Sequence, residues 1–253
     1  MIDPICFHIG SKPVYWFGIM MALAFLAGMA HWNLLGRKTG RDTSIAGDLA
    51  LWLMVGGIAG ARIAYIIANF EYFRQAPMEM IRVDQGGLIF YGGFIGANIA
   101  LAILARFHHE SFFSLVDFTV TALPLGHAIG RIGCFLNGCC HGIAVDYPSL
   151  ATFGLNRYPV QLYEAAFNLL VYAFLLRLYL RKTAKTPPGS LLALYLVAYS
   201  IGRFLLEFLR GDERLRAGSL DVAQLISLAL MMTGLALWAI LRRRHERNLH
   251  RSA

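Results

Sequence analysis

Long apolar runs alternate with short polar segments along almost the whole chain. Seven of these runs are long enough to cross a bilayer: 14–35, 49–68, 87–105, 112–132, 159–180, 190–209 and 219–241. Each approaches the ~20 residues that a hydrocarbon core requires. Several are apolar on every face, which excludes a soluble helical bundle. The pattern predicts an all-α integral membrane protein, a single membrane domain over residues 1–253 with seven transmembrane helices.

Composition agrees with this. Hydrophobic residues make up 57% and charged residues only 15% of the chain, where soluble domains carry about 25% charged. The mean hydropathy is +0.55. Only Lys12 precedes the first run as a basic residue, and that run exceeds a signal-peptide core, so it reads as a retained membrane helix.

Alternate loops differ in charge. One set holds Arg37, Lys38, Arg41, Arg106, Arg181, Lys182, Lys185, Arg242, Arg243, Arg244, Arg247 and Arg251, twelve cations. The other holds Lys12, Arg74, Arg82, Arg157, Arg210, Arg214 and Arg216, seven. The richer set is expected on the cytoplasmic side. That puts the N-terminus outside and the C-terminus inside. The net charge of +8 then reflects topology and contact with anionic membrane lipid. Aromatic residues do not interleave with basic ones, so nucleic-acid binding is not expected.

Three arginines, Arg62, Arg131 and Arg203, fall inside the apolar runs. Each costs about 2.5–3.5 kcal/mol at a membrane helix centre, so an anionic group is expected to receive them. With this topology Arg62, Tyr91, Arg131, the set Gln161, Tyr163 and Glu164, and the set Tyr199, Arg203 and Glu207 all lie toward the outer side. Tyr199, Arg203 and Glu207 share a helix face at i, i+4, i+8, and Gln161 neighbours Glu164 at i, i+3. Glu164 or Glu207 can orient an arginine and leave other guanidinium donors for a phosphate. Structural ion pairing between helices is the competing reading. The excess of arginine favours a pocket with surplus positive charge, suited to a phospholipid head group.

Two glycine-rich stretches, 56–62 and 86–96, suit close helix contact. The second embeds Tyr91 and leans toward function. The densest motif runs from Gly130 through Arg131, Cys134, Asn137, Cys139, Cys140 and His141 to Gly142. Its C-x4-C-C-H spacing is not a usual zinc pattern, and an oxidising exterior permits a disulfide. Small buried thiols packed at a helix turn are favoured over either, and no metal or cofactor is expected. The 142–158 loop is long for a helix connection. It is expected to cover the polar cluster or admit a second substrate. Asp117 reads as a packing or solvent-facing residue.

On these residues the chain resembles the phosphatidylglycerol–prolipoprotein diacylglyceryl transferase family. The matching blocks are Gly60-Ala61-Arg62, Gly86-Gly87 with Gly92-Gly93, Gly130-Arg131 through Gly142, Pro159 through Glu164, and Gly202-Arg203 through Glu207, Arg210 and Asp212. The resemblance implies an enzyme of the bacterial cytoplasmic (inner) membrane with its site toward the outer leaflet. It implies transfer of diacylglyceryl from phosphatidylglycerol to the lipobox cysteine of a preprolipoprotein signal peptide, with release of glycerol 1-phosphate. By the same resemblance Arg131 binds phosphatidylglycerol, Arg203 is a second essential arginine and Glu207 is its partner. Arg62, Asn137, Gly142, Tyr199, Gln161 and Glu164 complete the expected phospholipid site.

Arg131, Asn137, Gly142, Arg203 and Glu207 match the family pattern. The family has a histidine, a candidate base, where this chain has Tyr91, a tyrosine at Phe17, Asn at Cys134 and Glu at Cys139. A phenol near pKa 10 is a weak base, although adjacent arginines lower it, and His141 is the alternative. The competing readings are a divergent member acting on another nucleophile, a non-enzymatic phospholipid-binding or flipping protein, and a thiol-redox protein using Cys134, Cys139 and Cys140.

Overall fold

The apolar runs become helices because a backbone out of contact with water must satisfy its own polar groups. The computed structural model describes residues 3–42, 44–83, 86–182, 186–212 and 216–252. A hairpin of β1 (Ile5–Ile9) and β2 (Lys12–Tyr15) leads into α1 (Trp16–Thr39), α2 (Ser44–Ala68) and the short α3 (Phe70–Gln75). Then come α4 (Phe90–Phe107), α5 (Phe112–Val120), α6 (Leu123–Leu136), α7 (Val160–Leu180) and α8 (Ser190–Glu207). A strand pair, β3 (Arg216–Ala217) and β4 (Leu220–Asp221), precedes α9 (Val222–Ser252). Among the described residues, seven spans are long and apolar enough to cross a membrane, with α5 and α6 together forming one, Phe112–Leu136. The seven expected helices are therefore present. The hairpin, α3 and the interruption within the fourth span were not foreseen from hydropathy.

The first helix runs on to Thr39, past the apolar run, because Arg37 and Lys38 suit the negative end of its dipole. In the fourth span Pro124 lacks the N–H that would reach back to Val120, and the helix breaks at residues 121–122. Thr121 donates to the Phe118 carbonyl at 2.6 Å. His31 meets the Thr121 hydroxyl at 2.7 Å and the Tyr172 hydroxyl at 3.0 Å. Polar groups freed by the break are thus satisfied inside the fold.

The chain divides into two compact units, Met1–His31 with Asp117–Ala253, and Trp32–Val116. In the second unit, α2 packs along α4. The two glycine-rich stretches form this seam. A Cβ on Gly56 would stand 2.7 Å from the Ala100 Cβ, and one on Gly60, Gly92 or Gly96 would overlap the facing helix. Both stretches therefore serve close packing. Arg41–Glu110 at 2.5 Å and His108–Asp48 at 2.9 Å pair polar groups elsewhere in this unit.

In the other unit α6 packs on α7, α7 on α8, and α8 on α9. Asp117 is wholly buried on α5. It pairs with Lys182 at 2.7 Å and accepts the backbone N–H groups of Gly189, Leu191 and Leu192 at 2.9, 3.0 and 3.1 Å. A carboxylate at the N-terminus of α8 satisfies donors that no intrahelical carbonyl can reach. Asp117 is thus a packing anchor, and the solvent-facing alternative is corrected.

Candidate active site

The C-terminal ends of α6 and α8 meet the N-terminal turn of α7 at a cluster of ion pairs. Glu164, on α7, has a side chain only 5% exposed. Its Oε2 meets Arg131 Nε, and its Oε1 accepts Arg203 Nη1 at 3.1 Å, with Arg210 Nη1 at 3.7 Å. Arg203 also pairs with Glu207 at 2.7 Å, one turn along α8. Arg210 is fixed by Asp212 through bonds of 3.0 and 2.7 Å. These contacts raise the Arg210 pKa and keep it charged: burial opposes the charge, but the Asp212 hydrogen bond and charge, then Glu164, outweigh it.

One expectation changes. The cluster sets Arg131, Arg203 and Arg210 against Glu164, Glu207 and Asp212, so its charges balance among the described residues. Asp212 supplies the third carboxylate, and Arg62 has other partners. What the cluster offers a ligand is donor geometry. Arg131 meets both Glu164 and the His127 ring (3.2 Å) at Nε. Arg203 meets both carboxylates at Nη1. The terminal amino groups of Arg131 and the Nη2 of Arg203 have no partner among the described residues. The two side chains are 16% and 17% exposed.

The other expected residues fall into three places. Tyr199 stands beside this cluster, its ring 5.5 Å from that of His127. Gln161, buried on α7, donates to the Cys139 carbonyl at 2.6 Å. Asn137 caps α6, its N–H on the Gly133 carbonyl. Gly142 bridges backbone-to-backbone with Arg210. A Cβ there would lie 2.5 Å from the Tyr158 carbonyl and 2.7 Å from that of Leu209, so only glycine lets these segments close. His141 Nδ1 accepts from Arg157 Nη1 at 3.3 Å. It lines a cavity of about 620 Å³ together with Phe135, Gly138, Arg157, Tyr158 and Gln161. The 142–158 loop forms part of this wall, with Tyr147 and Leu150 exposed beyond it.

Arg62 and Tyr91 belong to the second unit. Arg62 is buried, and its guanidinium donates to the backbone carbonyls of Met80, Gly86, Gly87 and Glu79 at 2.8, 2.8, 3.1 and 2.5 Å. It also lies over the rings of Tyr65 and Phe73. Carbonyls thus take the place of the anionic group expected to receive it. Tyr91 is 68% exposed on the first turn of α4, edge-to-face with Phe90.

Sequence reading missed His127 as a site residue, although it lies four residues before Arg131 on the same helix face. It noted Asp212 only within a matching block, and Arg210 only there and among the loop cations. Their i, i+2 spacing outside a helix gave no periodic signal.

Cys134, Cys139 and Cys140 place their sulfurs within 4.8 Å of one another, and all four cysteines of the chain are free thiols. The hydrogen bond from Cys134 pushes the Cys140 thiol down to about 5 against the opposing effect of burial, with further lowering by Cys139, Arg210 and Arg131.

Comparison with known proteins matches residues 4–240 to the prolipoprotein diacylglyceryl transferase family. Similar proteins named phosphatidylglycerol–prolipoprotein diacylglyceryl transferase occur in several bacteria. The one from Pseudoalteromonas translucida is 35% identical over 94% of this chain and 93% of its own length. That from Synechocystis sp. is 34% identical over 92% and 87%, and that from Clostridium tetani 31% over 97% and 100%. With the match spanning all seven helices and the arginine–glutamate cluster, the chain belongs to the prolipoprotein diacylglyceryl transferase family of membrane enzymes.

Proposed function

We propose that this chain transfers the diacylglyceryl group of phosphatidylglycerol to the lipobox cysteine thiol of a preprolipoprotein signal peptide, releasing glycerol 1-phosphate as the first step of lipoprotein maturation. The observation that carries the reading is Glu164 bridging Arg131 and Arg203 while the terminal amino groups of Arg131 and the Nη2 of Arg203 stay open among the described residues. A phosphodiester fits donors held in that way.

In the reaction the acceptor sulfur forms a bond to the glycerol carbon that bears the phosphate. The carbon–oxygen bond breaks and its electron pair leaves on the phosphate. Arg131 and Arg203 stabilise that growing charge, with Glu164 and Glu207 holding them in position. Displacement at carbon is redox-neutral and needs no cofactor. A free thiol has a pKa near 8.5, and the arginine field favours its thiolate. His141, at the cavity wall, takes the thiol proton, and Tyr91 is the second group available for it. Asn137, Gly142, Gln161 and Tyr199 shape the phospholipid site. Arg62 holds the backbone carbonyls of Glu79, Met80, Gly86 and Gly87.

The setting is a single membrane domain in the bacterial cytoplasmic membrane. The N-terminus lies outside, the C-terminus is cytoplasmic, and the site faces the outer leaflet where a lipobox emerges. The test uses detergent-purified protein, phosphatidylglycerol labelled in both glycerol groups, and a lipobox peptide. The peptide gains diacylglyceryl and glycerol phosphate appears. Arg131→Ala lowers the rate by about 10²–10³, the ~2.7–4 kcal/mol typical of one oxyanion donor. Full activity in that variant overturns the assignment. Binding of phosphatidylglycerol with no glycerol phosphate would instead indicate a flipping or carrier protein. Release of glycerol phosphate without peptide labelling would indicate a different nucleophile.

A further inference from the structure

The turn after α6 builds a feature that the transfer reaction does not use. Adjacent cysteines ordinarily point their side chains apart, so Cys139 and Cys140 were poor candidates for one ligand. The backbone removes that objection. Gly138 has φ +70° and Cys140 has φ +59°, and the left-handed conformation at Cys140 turns the chain back on itself. A non-glycine residue in that region is strained, so the surrounding contacts must hold it.

They do. Cys139 N–H donates to the Cys134 carbonyl at 3.2 Å, and its thiol donates to the same oxygen at 3.6 Å. The buried Gln161 amide grips the Cys139 carbonyl at 2.6 Å. Immediately beyond, Gly211 donates to the His141 carbonyl at 3.1 Å, and Gly142 bridges with Arg210. The segment is therefore pinned on both sides, and its three sulfurs lie within 4.8 Å of one another.

We propose that Cys134, Cys139 and Cys140 form a three-thiolate site for one soft d10 cation, such as Zn(II) or Cu(I). A metal–sulfur distance of 2.3 Å places three ligand sulfurs about 3.8–4.0 Å apart, within a small inward movement of the arrangement seen. Thiolates select soft cations over Mg or Ca. Three thiolates around a divalent ion leave one negative charge, or two around Cu(I). Arg131 and Arg210 act electrostatically on Cys140 and offset that charge. The site is distinct from the phosphate donors but shares Arg131 with them.

The test is a Cd(II) titration of the reduced, detergent-purified full chain. Thiolate-to-cadmium charge-transfer absorption is expected to rise and saturate at one ion per chain. Zn(II), added as competitor, suppresses it. Cys6→Ser is expected to leave the stoichiometry at one. The triple variant C134S/C139S/C140S is expected to bring it to none, and each single variant of those three to shift the saturation point to higher Cd(II). A thermal melt without metal, superimposable on that of the parent, keeps a folding defect separate. If the triple variant does not fold, the single variants carry the test. Saturation at the parent's Cd(II) concentration in all three single variants overturns the proposal, as does the absence of saturable absorption in the parent. A disulfide between any two of the three in protein prepared without reductant, resistant to displacement by Zn(II) under a thiol buffer, also overturns it.

Discussion

Arg203 meets Glu164 at 3.1 Å across the packed helices α8 and α7, while Arg131 on α6 takes the other oxygen of the same carboxylate. One buried anion therefore sets the relative positions of two guanidiniums. This makes Glu164 a positioning residue whose loss has a distinctive signature.

Glu164→Gln keeps the shape but removes the charge that aligns the two arginines. The phosphate would still meet positive charge, and more of it is uncompensated. The expected outcome is a fall in kcat of at least about tenfold (~1.4 kcal/mol) with no rise in KM for phosphatidylglycerol. Steady-state kinetics in mixed micelles read both. A higher KM with unchanged kcat would place Glu164 in ground-state lipid binding instead.

His141 and Tyr91 can be separated by substitution. His141→Gln is expected to lower kcat/KM by about 10²–10³, while Tyr91→Phe stays near the parent rate. The opposite pattern transfers the role to Tyr91.

Asp117 is wholly buried, paired with Lys182 and bonded to the first amides of α8. Breaking a buried pair from one side costs about 3–5 kcal/mol. Asp117→Ala is expected to lower the melting temperature in detergent markedly, and Asp117→Asn less, because an amide oxygen still accepts from the helix. Equal melting temperatures for all three proteins would show that the anchor is dispensable.

Gly96 faces the Gly56 carbonyl with no room for a Cβ. Gly96→Ala is expected to force α2 and α4 apart at a cost of about 1–3 kcal/mol, seen as reduced thermal stability. Gly126, with open space around it, is the control: Gly126→Ala is expected to leave stability unchanged or raise it slightly.

Hydropathy alone determined the seven spans, because helix formation in an apolar solvent is local and each run must satisfy its own backbone. Spacing along one helix determined the Arg203–Glu207 pair, since i, i+4 neighbours meet in any regular helix. The blocks from Gly130 to Gly142 and from Gly202 to Asp212 carried the family. Tertiary structure decided what depends on residues distant in sequence. It chose Glu164 as the shared partner of Arg131 and Arg203, brought in Arg210 and His127, and gave Arg62 to backbone carbonyls. It matched the two glycine stretches to each other, buried Asp117 at the start of α8, and folded three cysteines to one point through a left-handed turn. Composition counts charges, but which charges meet is fixed by helix packing and by turns whose dihedral angles no hydropathy pattern records.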